Sequence, residues 1–196
     1  MLVAASLLAL VGCSESAADE ESVEQRTVEV RVPASYDPER EAPLLILLHG
    51  YTSSGANHER YLKLGPALDE AGILYVHPDG SRDCRGDRHW DATEACCHFC
   101  GARVDDTAYL RAMIDDIGKR YRVDARRIYI VGHSNGGFMG YRLACEHADI
   151  VAAVVSIAGA TLSDTERCSP DEPVHILQIH GDRDGTVPFR GAALQG

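Results

Sequence analysis

Residues 127–137, RIYIVGHSNGG, run an apolar segment straight into a serine flanked by glycines. Ile128, Tyr129, Ile130 and Val131 are continuous and β-prone, the pattern of a buried strand. Phe138, Met139, Leu143 and Ala144 then recur at helical spacing. Between the two lies Gly132-His133-Ser134-Asn135-Gly136, a G-x-S-x-G. A serine on a sharp strand-to-helix turn has a strained backbone and needs small residues on either side. That flanking context marks Ser134 as a candidate nucleophile and argues against an ordinary glycine-rich turn.

Working back from the serine, residues 44–48 (LLILL) are apolar throughout, as in a strand covered on both faces. They deliver His49-Gly50-Tyr51 to a loop. A site that attacks a carbonyl needs backbone N–H groups aimed at the oxyanion, one from the residue after the nucleophile and one from an early loop. Asn135 and Tyr51 are the candidates. Residues 27–32 alternate as a half-buried strand, and 33–43 form a polar connection. A helix is predicted between positions 58 and 70, started or kinked by Pro66, with Leu64, Ala67, Leu68 and Ala71 facing inward. Residues 73–76 form the next buried strand, closed by the turn at 77–80.

Residues 81–103 show no periodicity and hold four cysteines and the single tryptophan, Trp90. They read as a disulfide-stapled excursion beside the site, with Trp90 either packed or touching substrate. Leu110, Met113, Ile114, Ile117 and Tyr121 make 104–122 the clearest helix; Asp105 and Asp106 at its start suit capping and the helix dipole. Further strands are expected over 151–158 and 174–179, separated by a loop at 168–173. The last strand ends in HGDRDGTVP at 180–188. Strands alternating with helices imply a doubly wound α/β fold, a mostly parallel sheet with helices on both faces. Ligands gather at the strand carboxyl ends of such sheets, where His49, Ser134 and Asp184 all fall.

The 196 residues with 45% hydrophobic content suit one globular domain, placed here at 27–196. A net charge of -11 without any basic run excludes nucleic acid as a partner. Residues 2–11 are apolar, too few to span a bilayer as a helix, and suit a signal-peptide core. Leu10-Val11-Gly12-Cys13 resembles the lipobox of bacterial lipoproteins, although no Lys or Arg precedes the apolar segment. The expectation is a leader over 1–13, lipidation at Cys13 as the only membrane contact, and a polar linker over 14–26. Setting Cys13 aside, the seven cysteines leave Cys84, Cys96, Cys97, Cys100, Cys145 and Cys168, an even number that fits disulfides in an oxidising compartment outside the cytoplasm. Their connectivity stays open. A metal site at Cys97-His98-Phe99-Cys100 with His89 is the weaker alternative, since a second ligand pair is lacking.

Taken together, LLILLHGYTSSG, YVHPDG, HWDATEACC, VDDTAYLRAMIDDI, RIYIVGHSNGG, YRLACEHAD and QIHGDRDGTVPF resemble the α/β-hydrolase family of extracellular polyhydroxybutyrate depolymerases and feruloyl or acetyl-xylan esterases. The resemblance implies a serine ester hydrolase acting through an acyl-enzyme. It makes Ser134 the nucleophile, Asp184 the triad acid with Asp182 as fallback, and the Tyr51 and Asn135 amides the oxyanion hole. The same resemblance places the catalytic His after the acid, and no His follows Asp184 in this sequence. The expectation is therefore a chain that is a piece of a longer one, lacking the last strand and helix. His49, His175 and His180 lie upstream of the expected position, and His133 is expected to turn into packing. Triad hydrolysis needs neither cofactor nor metal. Two rival readings share the fold: a non-catalytic protein that binds an ester or polyester, and a serine peptidase. The substrate, small or polymeric, is not specified by these residues, nor is the oligomeric state.

Overall fold

The computed structural model describes residues 28–97 and 104–191. The expected leader, Cys13, the linker, His98 and Cys100 lie outside those residues. Among the described residues, seven strands follow in chain order: β1 (Ala42–Leu48), β2 (Leu74–Val76), β3 (Ser81–Arg82), β4 (Arg88–His89), β5 (Val123–His133), β6 (Ala153–Ile157) and β7 (His175–Ile179). Of these, β3 and β4 pair with each other and the other five build one sheet in the order β2-β1-β5-β6-β7, every pair parallel.

Alternation along β1 explains the two layers of core. Leu44, Ile46 and Leu48 pack with Leu110, Ile117, Phe138, Met139 and Leu143 on one face, whereas Leu45 and Leu47 pack with Leu68, Tyr75 and Val131 on the other. Successive strand side chains point to opposite faces, so a run with no polar residue is what a doubly covered strand requires. Leu44, Ile46, Leu47 and Leu48 are wholly buried, each worth about 1.5–3 kcal/mol in water-to-core transfer. The first face is covered by α3 (Asp106–Arg120) and α4 (Asn135–Glu146); α1 (Gly55–Leu62) and α2 (Gly65–Glu70) lie against the second.

The helix expected between 58 and 70 is in fact two. Lys63 takes a left-handed φ of 55° and ends α1, and Pro66 sits in the first turn of α2, where its missing N–H costs nothing. Because α2 is a short element, only Leu68 of its predicted inward face is buried; Ala67 and Ala71 are exposed and Leu64 is half-buried. The strand expected at 27–32 is reduced, among the described residues, to a single antiparallel bridge between Arg31 and Tyr75. The Arg31 guanidinium reaches Glu59 at 3.0 Å and Pro33 follows two residues later, so the segment leaves the sheet after one pairing.

The supposedly irregular 81–103 contains a small hairpin, β3 (Ser81–Arg82) with β4 (Arg88–His89). Trp90 is wholly buried after it, so packing is the reading that holds. Cys96 is disulfide-bonded to Cys97 and Cys145 to Cys168, and Cys84 is disulfide-bonded as well. The sulfur of Cys97 is thus committed to a disulfide, against the metal alternative.

The Cys145–Cys168 bond spans 23 positions and ties the end of α4 to the stretch after a short 3-10 turn, Thr165–Arg167, whose Arg167 pairs with Glu94 at 2.9 Å. Replacing both cysteines by serine is expected to cost about 3 kcal/mol by freeing a closed loop in the unfolded chain. Urea midpoints of the variant and parent check this, and equal midpoints would refute it.

Candidate active site

The sheet order reverses between β1 and β5: the chain leaves β1 for the edge strand β2 and returns beyond β1 to form β5. Loops at the carboxyl ends of two such strands diverge, opening a crevice. Leu48 pairs with Gly132 at that end, so the loop after β1 and the turn after β5 are neighbours.

Ser134 stands at this turn with φ 52° and ψ -121°, a conformation that costs a residue with a side chain about 1–3 kcal/mol. The surroundings impose it. Its N–H donates to the Ile157 carbonyl at 2.8 Å, and its own carbonyl accepts from Gly137 at 2.8 Å and Phe138 at 3.1 Å. A Cβ at Gly132 would run into the Gly136 backbone, and one at Gly136 into the carbonyls of Leu48 and His49. These two glycines are the condition for bringing helix, strand and loop so close.

Asn135 begins α4, so its N–H is among those a helix cannot satisfy internally. Its side chain has a separate task. The carboxamide is wholly buried, accepting the Trp90 N–H at 2.7 Å and donating to the Trp90 carbonyl at 2.9 Å. The Trp90 indole in turn donates to the His49 carbonyl at 3.1 Å. Tyr51, the other candidate, is tied to the hairpin that leads into Trp90: its hydroxyl donates to Asp83 at 2.6 Å. Burial, followed by that contact with Asp83, pushes the Tyr51 phenol up to about 12. Asp83 also accepts the Arg85 and Asp87 N–H groups, and Thr52 N–H donates to the Arg88 carbonyl. Asp79 completes the brace by accepting the Gly55 N–H at 2.8 Å and pairing with Arg88 at 3.0 Å.

Both oxyanion candidates therefore hang on one hairpin, a link that no periodicity in 81–103 betrays. In Asn135→Ala the Trp90 carbonyl keeps its bond from Ala92, but the buried Trp90 N–H loses its acceptor. Leaving one buried donor unpaired is expected to destabilise the protein by about 1–3 kcal/mol, read from chemical denaturation; an unchanged midpoint would contradict this role.

Asp184 lies in the turn after β7. Its Oδ1 accepts the N–H groups of Thr186 at 2.8 Å and Val187 at 2.9 Å, and these bonds hold its carboxyl below the usual carboxylate range. The side chain is 19% exposed, against 89% for the fallback Asp182. The geometry separates the two acids, with only Asp184 fixed in place.

The histidines divide sharply. His49 Nε2 accepts the Gly80 N–H at 2.9 Å, which leaves Nδ1 as the donor to the Gly50 carbonyl at 2.7 Å; burial lowers its pKa, and it braces the loop as a neutral ring. Gln178 donates to His180 Nδ1 at 2.8 Å, so Nε2 donates to the Val187 carbonyl at 2.7 Å, with Asp184 Oδ2 3.5 Å away. His175 is exposed at the opposite end of β7. His133 stacks on His58 with ring centroids 5.0 Å apart, the packing expected of it. Among the described residues, Ser134 Oγ has no hydrogen-bond partner.

Asp105 caps α3 through the Ala108 N–H at 3.0 Å, in line with the bland role read for it. Asp106 instead turns inward, wholly buried, and accepts the Asp91 N–H at 2.8 Å. That internal acceptor role was not legible from its place at a helix start.

A parallel sheet with a strained serine between strand and helix defines a hydrolase scaffold, and a family model for the alpha/beta hydrolase fold matches residues 43–188. The chain belongs to the α/β-hydrolase family. It is 34% identical over 149 residues to NocK of Nocardia uniformis subsp. tsuyamanensis, itself provisionally designated an esterase; the match covers 76% of this chain and 42% of that one. It is 30% identical over 173 residues to feruloyl esterase B of Piromyces equi, covering 87% and 31% respectively. The chain thus spans less than half the length of these curated relatives. Among solved structures, esterase PE8 superposes with a TM-score of 0.63 at 21% identity, covering 85% of this chain and 79% of that one. An acetyl xylan esterase from Aspergillus awamori gives 0.56 at 18%, covering 74% and 52%. At such identities the structural likeness speaks to the fold.

Proposed function

We propose that this domain is the nucleophile-bearing part of a serine carboxylic ester hydrolase of the feruloyl or acetylxylan esterase type. The observation that carries the reading is the backbone of Ser134, held at φ 52° on the turn between β5 and α4 at the carboxyl end of the sheet. The esterase names of the relatives support it.

In this reading Ser134 Oγ bonds to the ester carbonyl carbon as its proton passes to an imidazole. The carbonyl oxygen takes negative charge in front of the Asn135 and Tyr51 N–H groups, two residues whose side chains are tethered to the 83–90 segment. Collapse breaks the bond to the alcohol oxygen, which leaves with the proton, and water repeats the sequence on the acyl-enzyme. Asp184, an acceptor at low pKa, orients and stabilises the imidazole. The base is a histidine brought to Asp184, as the family pattern implies; His49 and His180 already spend both ring nitrogens elsewhere. The disulfides fit a protein exported to an oxidising environment.

The test is turnover of p-nitrophenyl acetate by the native protein, with and without prior treatment by a fluorophosphonate that reacts with activated serines. Saturable hydrolysis abolished by the reagent is expected. A native protein that binds the ester but never releases nitrophenol would reverse the reading in favour of a binding protein.

A further inference from the structure

His180 enters the turn that carries Asp184 with its side chain only 6% exposed and its Nε2 3.5 Å from Asp184 Oδ2. A histidine so close to a carboxylate would ordinarily pair with it. What prevents this is a run of hydrogen bonds that starts on α4 and decides which ring nitrogen carries the proton.

The direction of those bonds follows from one acceptor. The Gly159 carbonyl can only accept, so the end of the Gln178 amide lying 2.8 Å from it must be the NH2 group. The same Nε2 lies 2.8 Å from His180 Nδ1, which must then be the bare, accepting nitrogen. The ring proton is left on Nε2, which donates to the Val187 carbonyl at 2.7 Å. At the other end of the amide, Oε1 accepts the hydroxyl of Tyr141, on α4, at 3.0 Å. Phe189 packs edge-on against the imidazole, with centroids 5.8 Å apart at 65°.

Val187 is where this run of bonds reaches the acid. Its side chain is buried in the core, its carbonyl is held by His180, and its N–H donates to Asp184 Oδ1 at 2.9 Å. Pro188 follows and restricts the Val187 backbone to extended shapes. Oδ1 is thereby filled, by Val187 and by Thr186. Oδ2 has His180 Nε2 beside it, but that proton is already given to Val187.

We propose that His180 is the positioning residue of the candidate triad acid. With its tautomer set from α4 through Tyr141 and Gln178, it anchors Val187 against Asp184 Oδ1 and stays out of an ion pair with Oδ2, which is kept for the catalytic imidazole. The proposal rests on the esterase reading for its effect on rate.

Two measurements on the native protein test this. The first needs no turnover: nitrogen NMR of the ring-labelled protein at neutral pH, with the His180 signals assigned by their loss in His180→Phe. A proton on Nε2 alone is expected in the parent, and a mixture of tautomers in Gln178→Leu. A parent ring protonated on Nδ1 overturns the proposal. The second is hydrolysis of p-nitrophenyl acetate. His180→Phe keeps the ring and loses both hydrogen bonds; it should lower kcat about a hundredfold through a misplaced Asp184. KM should stay within about twofold, because the imidazole serves acylation and deacylation alike. His180→Gln, whose amide N–H can still reach Val187, should recover about tenfold of that loss. In an Asp184→Asn background the further cost of His180→Phe should shrink to less than about threefold, since residues acting as a unit are not additive. An unchanged kcat in His180→Phe, or the full loss repeated in the Asp184→Asn background, overturns the proposal. Should His180→Phe fail to fold, Gln178→Leu, at an exposed position of β7, takes its place with an expected loss of about tenfold in kcat; an unchanged kcat there overturns the proposal as well. If the parent hydrolyses no ester while its His180 carries the proton on Nε2, the esterase reading fails and the hold on Asp184 stands.

Discussion

Ser134→Ala is expected to lower ester turnover by the native protein by at least about four orders of magnitude, while leaving its unfolding free energy from urea denaturation within about 0.5 kcal/mol of the parent's. The two halves of that result come from different atoms. Chemistry depends on Oγ, for which the fold provides no hydrogen-bond partner among the described residues. Structure depends on the Ser134 N–H and carbonyl, bonded to Ile157, Gly137 and Phe138, and alanine keeps both. Nor does alanine relieve or worsen the φ of 52°, since it carries the same Cβ. Paired measurements of kcat/KM and of unfolding separate this from loss of fold. Retained turnover would remove Ser134 from the mechanism, and a collapsed midpoint would mean that the hydroxyl is structural.

Asp184→Asn is expected to cost about three to four orders of magnitude in kcat/KM. Asparagine keeps an oxygen to accept from Thr186 and Val187, so the turn survives; what disappears is the negative charge that stabilises the imidazolium. The pH behaviour gives an independent check. The Asp184 pKa is lowered in the folded state from 3.8, chiefly by the Val187 and Thr186 N–H groups. A depressed carboxylate contributes stability that is complete above the unfolded value and is lost as pH falls through the folded one. Below pH 4, therefore, the parent should lose stability more steeply than Asp184→Asn, and the two curves should converge in acid. Parallel curves would show that those backbone bonds do not favour the charged form. The same substitution at Asp182, which is 89% exposed, should leave activity close to the parent's.

How much of this was legible in the sequence depends on whether a residue's role is local. β1 and β5 were readable because a strand covered on both faces must be apolar at every position, and α3 because its apolar stripe follows the helical period. The serine turn was readable because its glycines are required by contacts only a few residues away in sequence or across one strand pair. The hairpin Ser81–Arg82 with Arg88–His89 was not, since two-residue strands leave no period. Its importance rests on pairings across long separations: Asn135 with Trp90 and Tyr51 with Asp83. Asn135 was singled out for its backbone, and nothing in G-x-S-x-G announces that its side chain clamps a tryptophan 45 positions away. The break between α1 and α2 has a signal, Gly65-Pro66: of the two roles open to Pro66, starting a helix or kinking one, the structure takes the first, and the left-handed Lys63 that ends α1 carries no mark in the sequence. The first strand was over-read because alternation at 27–32 satisfies the period while, among the described residues, that segment pairs only through Arg31.

The most direct test of the central claim, that Ser134 is an activated nucleophile, is to treat the native protein with a fluorophosphonate and locate the adduct by intact mass and peptide mapping. One adduct per chain, on the peptide containing Ser134, formed at the rate at which esterase activity disappears, is the expected result. Esterase activity that persists after Ser134 is fully modified, or an adduct that maps to another serine, would contradict the account.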